Sequence, residues 1–271
     1  MQGRRPILTD LEALFQAIRR AVRPRAGHFV GETTTNPKGD RVREFDLAAD
    51  RAACTYLSDR FPRPVLLLSE EAEPRRFGNG EPEFIMVLDP VDGSDNLARG
   101  VPLAGTAVAL IPSGGPITTG TVRYALVGDL LTGSRWVAER GRGAFRNGVR
   151  IHPGLATKLE EATVSCELNH FAVEARLAGM LSRAQAVRTL GCATQALSMV
   201  ADGSLDAHLD VRGRLTPENF LAPSLIVSEA GGLLTDPEGK AIPAIRSLTE
   251  RYSIVAAATP ELHAALVNEL K

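Results

Sequence analysis

Residues 65–96 read VLLLSEEAEPRRFGNGEPEFIMVLDPVDGSDN, and the fold is decided here. Two apolar runs, Val65–Leu68 and Phe84–Leu88, have the length and composition of buried strands. Each runs into carboxylates: Ser69-Glu70-Glu71 after the first, Asp89-Pro90-Val91-Asp92-Gly93-Ser94 after the second. Adjacent strands that stop at the same sheet edge would bring Glu70, Asp89 and Asp92 together. Converging carboxylates repel one another and require a cation, and an all-oxygen set without His or Cys suits Mg²⁺, Mn²⁺ or Ca²⁺ rather than Zn²⁺. Gly93 permits a tight turn, and the N–H groups that follow it can face an anion. A divalent cation beside an anion-binding turn points to phosphoryl chemistry. Either half alone also reads as an ordinary acidic turn; the pairing of the two, each directly after a strand, carries the chemical reading.

Outward from this stretch, 271 residues with 44% hydrophobic content can bury a large core, as one domain or two intimate halves. A formal net charge of −1 argues against a general nucleic-acid or membrane-surface binder. Cys54, Cys166 and Cys192 lie far apart in apolar segments and read as buried thiols of a reducing compartment. MQGRRPILTD contains no apolar signal core, and no stretch approaches ~18 uninterrupted apolar residues, so a soluble cytoplasmic protein is expected. The five His residues show no metal spacing.

Thr9-Asp10-Leu11-Glu12 is a capping-box pattern that predicts a first helix ending before Pro24, with Leu8, Leu11, Leu14, Phe15, Ile18 and Val22 on its buried face. Residues 31–43 predict a polar loop. A second helix should bury Leu47, Cys54, Leu57 and Phe61, with Asp46 near its start, where helix capping is the simplest role. Residues 101–151 read as strands, with Asn147-Gly148 as a hairpin turn. Gly141-x-Gly143 lacks the third Gly and the following helix of a dinucleotide site. Beyond about residue 154 strands and helices alternate: ATVSCEL, AVRTL, SLDAHLD and YSIVAAA as strands, 173–182, 192–201, 217–230 and 261–270 as helices. The expected organisation is an α+β half over 1–153 and an α/β half over 154–271, sharing one core.

Ser69-Glu70-Glu71 followed by Asp89-Pro90-Val91-Asp92-Gly93-Ser94-Asp95-Asn96 resembles the paired metal motifs of the inositol monophosphatase and fructose-1,6-bisphosphatase superfamily. Its members are Mg²⁺-dependent, lithium-sensitive phosphomonoesterases of layered αβαβα fold. The resemblance spans nearly the whole chain, including Trp136–Gly148, the strand-to-helix turn Arg188-x-x-Gly191-x-Ala193 and the helix end Glu229-Ala230-Gly231-Gly232. It implies that Glu70, Asp89, the Val91 carbonyl and Asp92 hold Mg²⁺ or Mn²⁺. It gives Asp46 and Ser94, with Glu70, the task of orienting an attacking water. The amides at Gly93 and Ser94 would hold phosphate, and Ala193 and Asp210 would meet the alcohol part of a small phosphorylated substrate. Lys38 is similar to a lysine of the family's mobile loop, and homodimers are usual in the family. The Asp210-Val-Arg212-Gly-Arg214 run is similar to archaeal-type members that also take sugar bisphosphates.

The chain departs from the family pattern at one helix start. Where members carry Trp-Asp, this chain has Glu218-Asn219. Asn219 keeps a carbonyl oxygen but loses the charge, so a second metal should bind more weakly. Pro223 has no N–H for the carbonyl of residue 219, which should shift the local geometry. Asp95 adds a carboxylate beside the phosphate turn, either partly replacing the lost charge, or selecting a less anionic substrate, or simply standing as a solvated Asp at a helix start. The activity implied is hydrolysis of a phosphorylated polyol or sugar. Its rivals are a specialised nucleotide or biosynthetic-intermediate phosphatase, and a catalytically impaired relative that binds phosphorylated ligands and regulates a partner.

Overall fold

The computed structural model describes residues 6–22, 32–35 and 41–271. Five layers stack in the order α, β, α, β, α. The outermost helices are α1 (Ile7–Val22) and α2 (Glu44–Asp59), which pack together over one face of a large sheet. Helix α1 starts two residues before the capping-box reading, with the Thr9 N–H on the Pro6 carbonyl at 3.0 Å. Pro6 has its φ preset for a helix entry, so the helix forms from there and Asp10 lies buried in its first turn. In α2 the buried face is Phe45, Ala49, Ala53, Tyr56 and Leu57; Leu47 and Cys54 of the expected stripe are only partly covered. The expected loop before α2 contains a short antiparallel pair, β1 (Glu32–Thr35) with β2 (Arg41–Arg43).

The large sheet contains β3 (Val65–Ser69), β4 (Ala72–Phe77), β5 (Phe84–Asp92), β6 (Gly105–Pro112), β7 (Tyr124–Asp129), β8 (Arg135–Glu139), β9 (Gly143–Arg146) and β10 (Val149–Arg150). Its spatial order is β10-β9-β8-β7-β6-β5-β3-β4. The deciding pair is parallel, as the sequence reading requires: Val65 lies opposite Phe84 and Ser69 opposite Leu88. Strand β4, from the charged AEPRRF, was not expected; it survives as an edge strand because its polar side chains face water. Close packing of α1 on the sheet requires Gly128, where a Cβ would lie 2.3 Å from Phe15.

The small sheet has β11 (Thr163–Cys166), β12 (Ala186–Arg188), β13 (Ala207–Leu215), β14 (Leu233–Thr235) and β15 (Tyr252–Ala257), in the order β12-β11-β13-β15-β14. Between the sheets lie α5 (Ala193–Ala201) and α6 (Pro217–Ala230); α4 (Ala175–Arg183) and α7 (Pro260–Leu270) cover the outer face. Helix α6 is buried nearly all round, as a central layer demands. It runs on through the buried Pro223 without a break in its assigned span. Its Glu229 carboxylate accepts the N–H groups of Gly141 and Gly143, each at 2.8 Å, so that glycine turn holds a side chain of the same molecule. Among the described residues no helix is long and apolar enough to cross a membrane.

Candidate active site

The parallel register brings β3 and β5 to the same edge. Ser69 faces Leu88, so the chain enters Glu70 just as its neighbour enters Asp89. Strand β5 continues past the expected Leu88 to Asp92, with an irregularity against β6 between Asp89 and Asp92. Such a bulge re-aims side chains, and here Pro90 lies inside it while its carbonyl accepts the Thr106 hydroxyl at 2.8 Å. Gly93 then turns the chain at φ 79°, where a Cβ would meet the Leu103 carbonyl at 2.9 Å. The five-residue helix α3 (Ser94–Ala98) follows.

Asp89 is the centre of the cluster and is 1% exposed. One oxygen accepts the Val91 N–H at 3.0 Å and the other accepts the Asn219 amide nitrogen at 2.7 Å. Its carboxyl is held well above the usual carboxylate range, first by burial and then by the charges of Glu70, Asp92 and Glu218. Glu218, in the first turn of α6, is therefore a fourth carboxylate of this cluster, which the sequence reading noted only as the residue in the family's Trp position. It is 1% exposed and lies against the Thr216 hydroxyl.

Two of the expected ligands hydrogen-bond to protein groups here. Asp92 turns its carboxylate to the start of α5, where Oδ2 accepts the Thr194 N–H at 2.7 Å and lies 3.2 Å from the Cys192 thiol. Burial raises its carboxyl, and those two partners pull it back down. Asn219 points its nitrogen at Asp89, while its Oδ1 lies 3.0 Å from the Thr216 hydroxyl. The carbonyl expected to serve a second metal thus faces away from Asp89, because an anionic acceptor selects the donor end of an amide. Among the described residues no three or more His, Cys, Asp or Glu side chains are grouped so that they could hold a metal ion. By donor chemistry, Glu70, Asp89 and the Val91 carbonyl still suit a hard cation, whose charge would offset the repulsion that raises Asp89.

Asp46 and Ser94 come to the same region from α2 and α3. Among the described residues no hydrogen bond joins them; Arg43, unmarked by any sequence motif, links them. Its backbone N–H donates to Asp46 Oδ2 at 2.8 Å and its guanidinium to Ser94 Oγ at 3.0 Å. Burial lifts the Asp46 carboxyl to about 6, with Arg43 acting against that rise. Asp95 pairs with the same guanidinium, so it is more than a solvated helix start. Lys38 lies outside the described residues.

On the far side, Asn96 staples the Gly93–Ser94 turn to the second half by donating to the Leu190 carbonyl at 2.8 Å. Ala193 opens α5 beside the Thr194 amide that Asp92 uses. Asp210, expected to meet a substrate hydroxyl, is 0% exposed and gripped by Arg212 at 2.9 and 2.6 Å. It aims the guanidinium, which reaches the Asn169 carbonyl at 3.0 Å and lies 3.9 Å from Glu167. Glu167, another residue the sequence left unmarked, stands at the end of β11 and adds to the field at Asp92.

The sequence profile described as "Inositol monophosphatase family" matches residues 6–271. The chain belongs to the inositol monophosphatase family. It is 31% identical over 264 residues to a fructose-1,6-bisphosphatase/inositol-1-monophosphatase of Methanothermobacter thermautotrophicus, covering 94% of this chain and 93% of that one. A protein of the same description from Thermococcus kodakarensis is 30% identical, covering 91% and 88%. In fold, the chain matches a solved inositol monophosphatase–fructose 1,6-bisphosphatase with a TM-score of 0.84 at 24% identity, over 98% of this chain and 100% of that one. The layered architecture is therefore the family's own.

Proposed function

We propose that this chain is a phosphomonoesterase acting on a small phosphorylated polyol or sugar with Mg²⁺ or Mn²⁺. The observation that carries the reading is the parallel β3–β5 register, which sets Glu70 beside the buried Asp89 next to the Gly93–Ser94 turn. Glu70, Asp89 and the Val91 carbonyl would hold the ion, which supplies Lewis-acid polarisation of a phosphoryl oxygen and lowers the pKa of water. The amides of Gly93 and Ser94 hold the phosphate. Above pH about 6 the Asp46 carboxylate is charged and can orient and accept a proton from water. Arg212, aimed by Asp210, is the candidate group for the alcohol part of the substrate. The proposal keeps a division at 153/154, a cytoplasmic setting in which Cys54, Cys166 and Cys192 stay as the free thiols seen here, and a homodimer.

A second reading, a phosphate-ligand-binding relative of impaired activity, is favoured by the Asn219 amide donated into Asp89. A panel of inositol 1-phosphate, fructose 1,6-bisphosphate and adenosine 3′,5′-bisphosphate with Mg²⁺ and with Mn²⁺ separates them. Release of phosphate from either of the first two supports the proposal. Turnover of the nucleotide alone moves the substrate class, and binding without turnover of any of the three establishes the second reading.

A further inference from the structure

We propose that Arg43 is a positioning residue for the Ser94 hydroxyl, aimed by Asp95, and that it adds the positive charge a phosphate needs in this carboxylate-rich site. The proposal deepens the phosphomonoesterase reading above and rests on it. Arg43 ends β2 and precedes the first residue of α2. From there one residue reaches both groups assigned to orienting water: its backbone N–H holds Asp46 and its guanidinium holds Ser94. The second arm of the guanidinium pairs with Asp95. The Arg43 side chain is 12% exposed although its carboxylate partner is 79% exposed, so the pair reaches inward from the surface and ends at Ser94.

An exposed ion pair contributes little to stability, and ordering an arginine costs conformational entropy. The backbone N–H on Asp46 is the capping box of α2 and needs no arginine, so the guanidinium alone carries the argument; its contact with the Phe45 ring, at 6.0 Å, lies at the limit of a cation–π interaction. A chemical role follows from the donor inventory. Guanidinium only donates, so Ser94 Oγ must accept from Arg43. The single Ser94 proton is then directed elsewhere, and in the proposed reaction it donates to a phosphoryl oxygen seated on the Gly93–Ser94 turn. Arg43 thereby sets the polarity of the hydroxyl. Its charge also acts on Asp46, whose carboxyl it pulls down, and is shared with Asp95. Asp95 holds the planar fork in the orientation that makes this possible.

The test compares wild type, Arg43→Ala, Arg43→Lys, Asp95→Asn, Ser94→Ala and the Arg43→Ala/Ser94→Ala double variant. The readouts are kcat and KM for the panel substrate that wild type hydrolyses, and calorimetric binding of inorganic phosphate. Arg43→Ala should lower kcat/KM by roughly ten- to a hundredfold, the scale of a lost hydrogen bond to a charged group, and weaken phosphate binding. In the Ser94→Ala background the same change should lower kcat by less than about threefold, since the two act as one unit. Arg43→Lys should restore phosphate affinity but not kcat, because an ammonium keeps the charge and loses the fork. Asp95→Asn should lower kcat by roughly three- to tenfold with the fold intact. Unaltered kcat, KM and phosphate affinity in folded Arg43→Ala would overturn the proposal, as would additive losses in the double variant. If Arg43→Ala does not fold, Asp95→Asn and Arg43→Lys decide by the same criteria. A wild type that hydrolyses none of the panel sinks the phosphatase reading; phosphate affinity unaffected in Arg43→Ala would then sink this inference separately.

Discussion

Replacing Asn219 with Asp tests how the cluster balances its charge. In the structure the Asn219 nitrogen donates to Asp89 Oδ2 at 2.7 Å. The substitution removes a hydrogen bond to a charged group, worth about 1.5–3 kcal/mol, and leaves two carboxylate oxygens facing each other. At that spacing and an effective dielectric of about 20, full charges would repel by about 6 kcal/mol. Proton uptake and side-chain rotation relieve much of this, since Asp89 is already pushed toward its neutral form. A net loss of about 2–4 kcal/mol in the absence of divalent cation is expected. For a domain of this size, that lowers Tm by roughly 4–7 °C. With saturating Mg²⁺ the order should invert or close, because the new carboxylate brings a full charge to a site where the amide pointed a donor. The assay is thermal unfolding of wild type and Asn219→Asp in chelator and in Mg²⁺, followed by calorimetric Mg²⁺ titration. Equal stability in chelator would refute the assigned contact between 219 and 89. An equal Mg²⁺-induced shift in both proteins would refute the place of residue 219 in the cation site.

Three further outcomes follow from the same geometry. Asp46 has its carboxyl raised from 3.8 to about 6, so the folded state binds its proton more tightly than the unfolded chain does. Stability from this group is therefore present below pH ~4 and lost as pH rises toward ~6, by on the order of 3 kcal/mol at most; Asp46→Asn should flatten that interval in urea unfolding. Arg212→Ala should destabilise by about 3–5 kcal/mol, since it strands the buried Asp210 charge, and Asp210→Asn in the same background should recover part of the loss in denaturant midpoints. Gly128→Ala should lower stability by about 1–3 kcal/mol or more, because its Cβ would lie 2.3 Å from the Phe15 ring, and Phe15→Leu in the same chain should relieve it.

Much of the site was legible because its signals are local. The apolar runs 65–68 and 84–88 are too short for helices, and each carries its carboxylates directly after it, so a parallel pairing places Glu70 beside Asp89 without further information. That residue 219 lies in the first turn of α6 was also visible by counting along one helix, since a helix maps sequence spacing onto space with little freedom. What the residues do there was not visible. Whether Asn219 offers oxygen or nitrogen depends on Asp89, 130 positions away, and whether Asp92 faces a metal or the Thr194 amide depends on where α5 starts.

Arg43, Glu167 and Glu218 carry no motif, because an isolated charged residue next to a strand or helix end is ordinary in sequence. They gain meaning only from what tertiary packing sets beside them: Ser94 for Arg43, Asp92 for Glu167, Asp89 for Glu218. Asp210 shows the reverse case, a position well marked in sequence whose carboxylate the fold buries against Arg212. The sequence by itself determined the order of the apolar strands and helices, though not β1, β2 or β4, and which carboxylates reach the sheet edge, since hydrophobic periodicity and strand ends are properties of short segments. Only the tertiary structure decided which partner each of those polar groups takes. Hydrogen bonds and charges act over a few ångströms in space, and the chain's own order does not encode that distance.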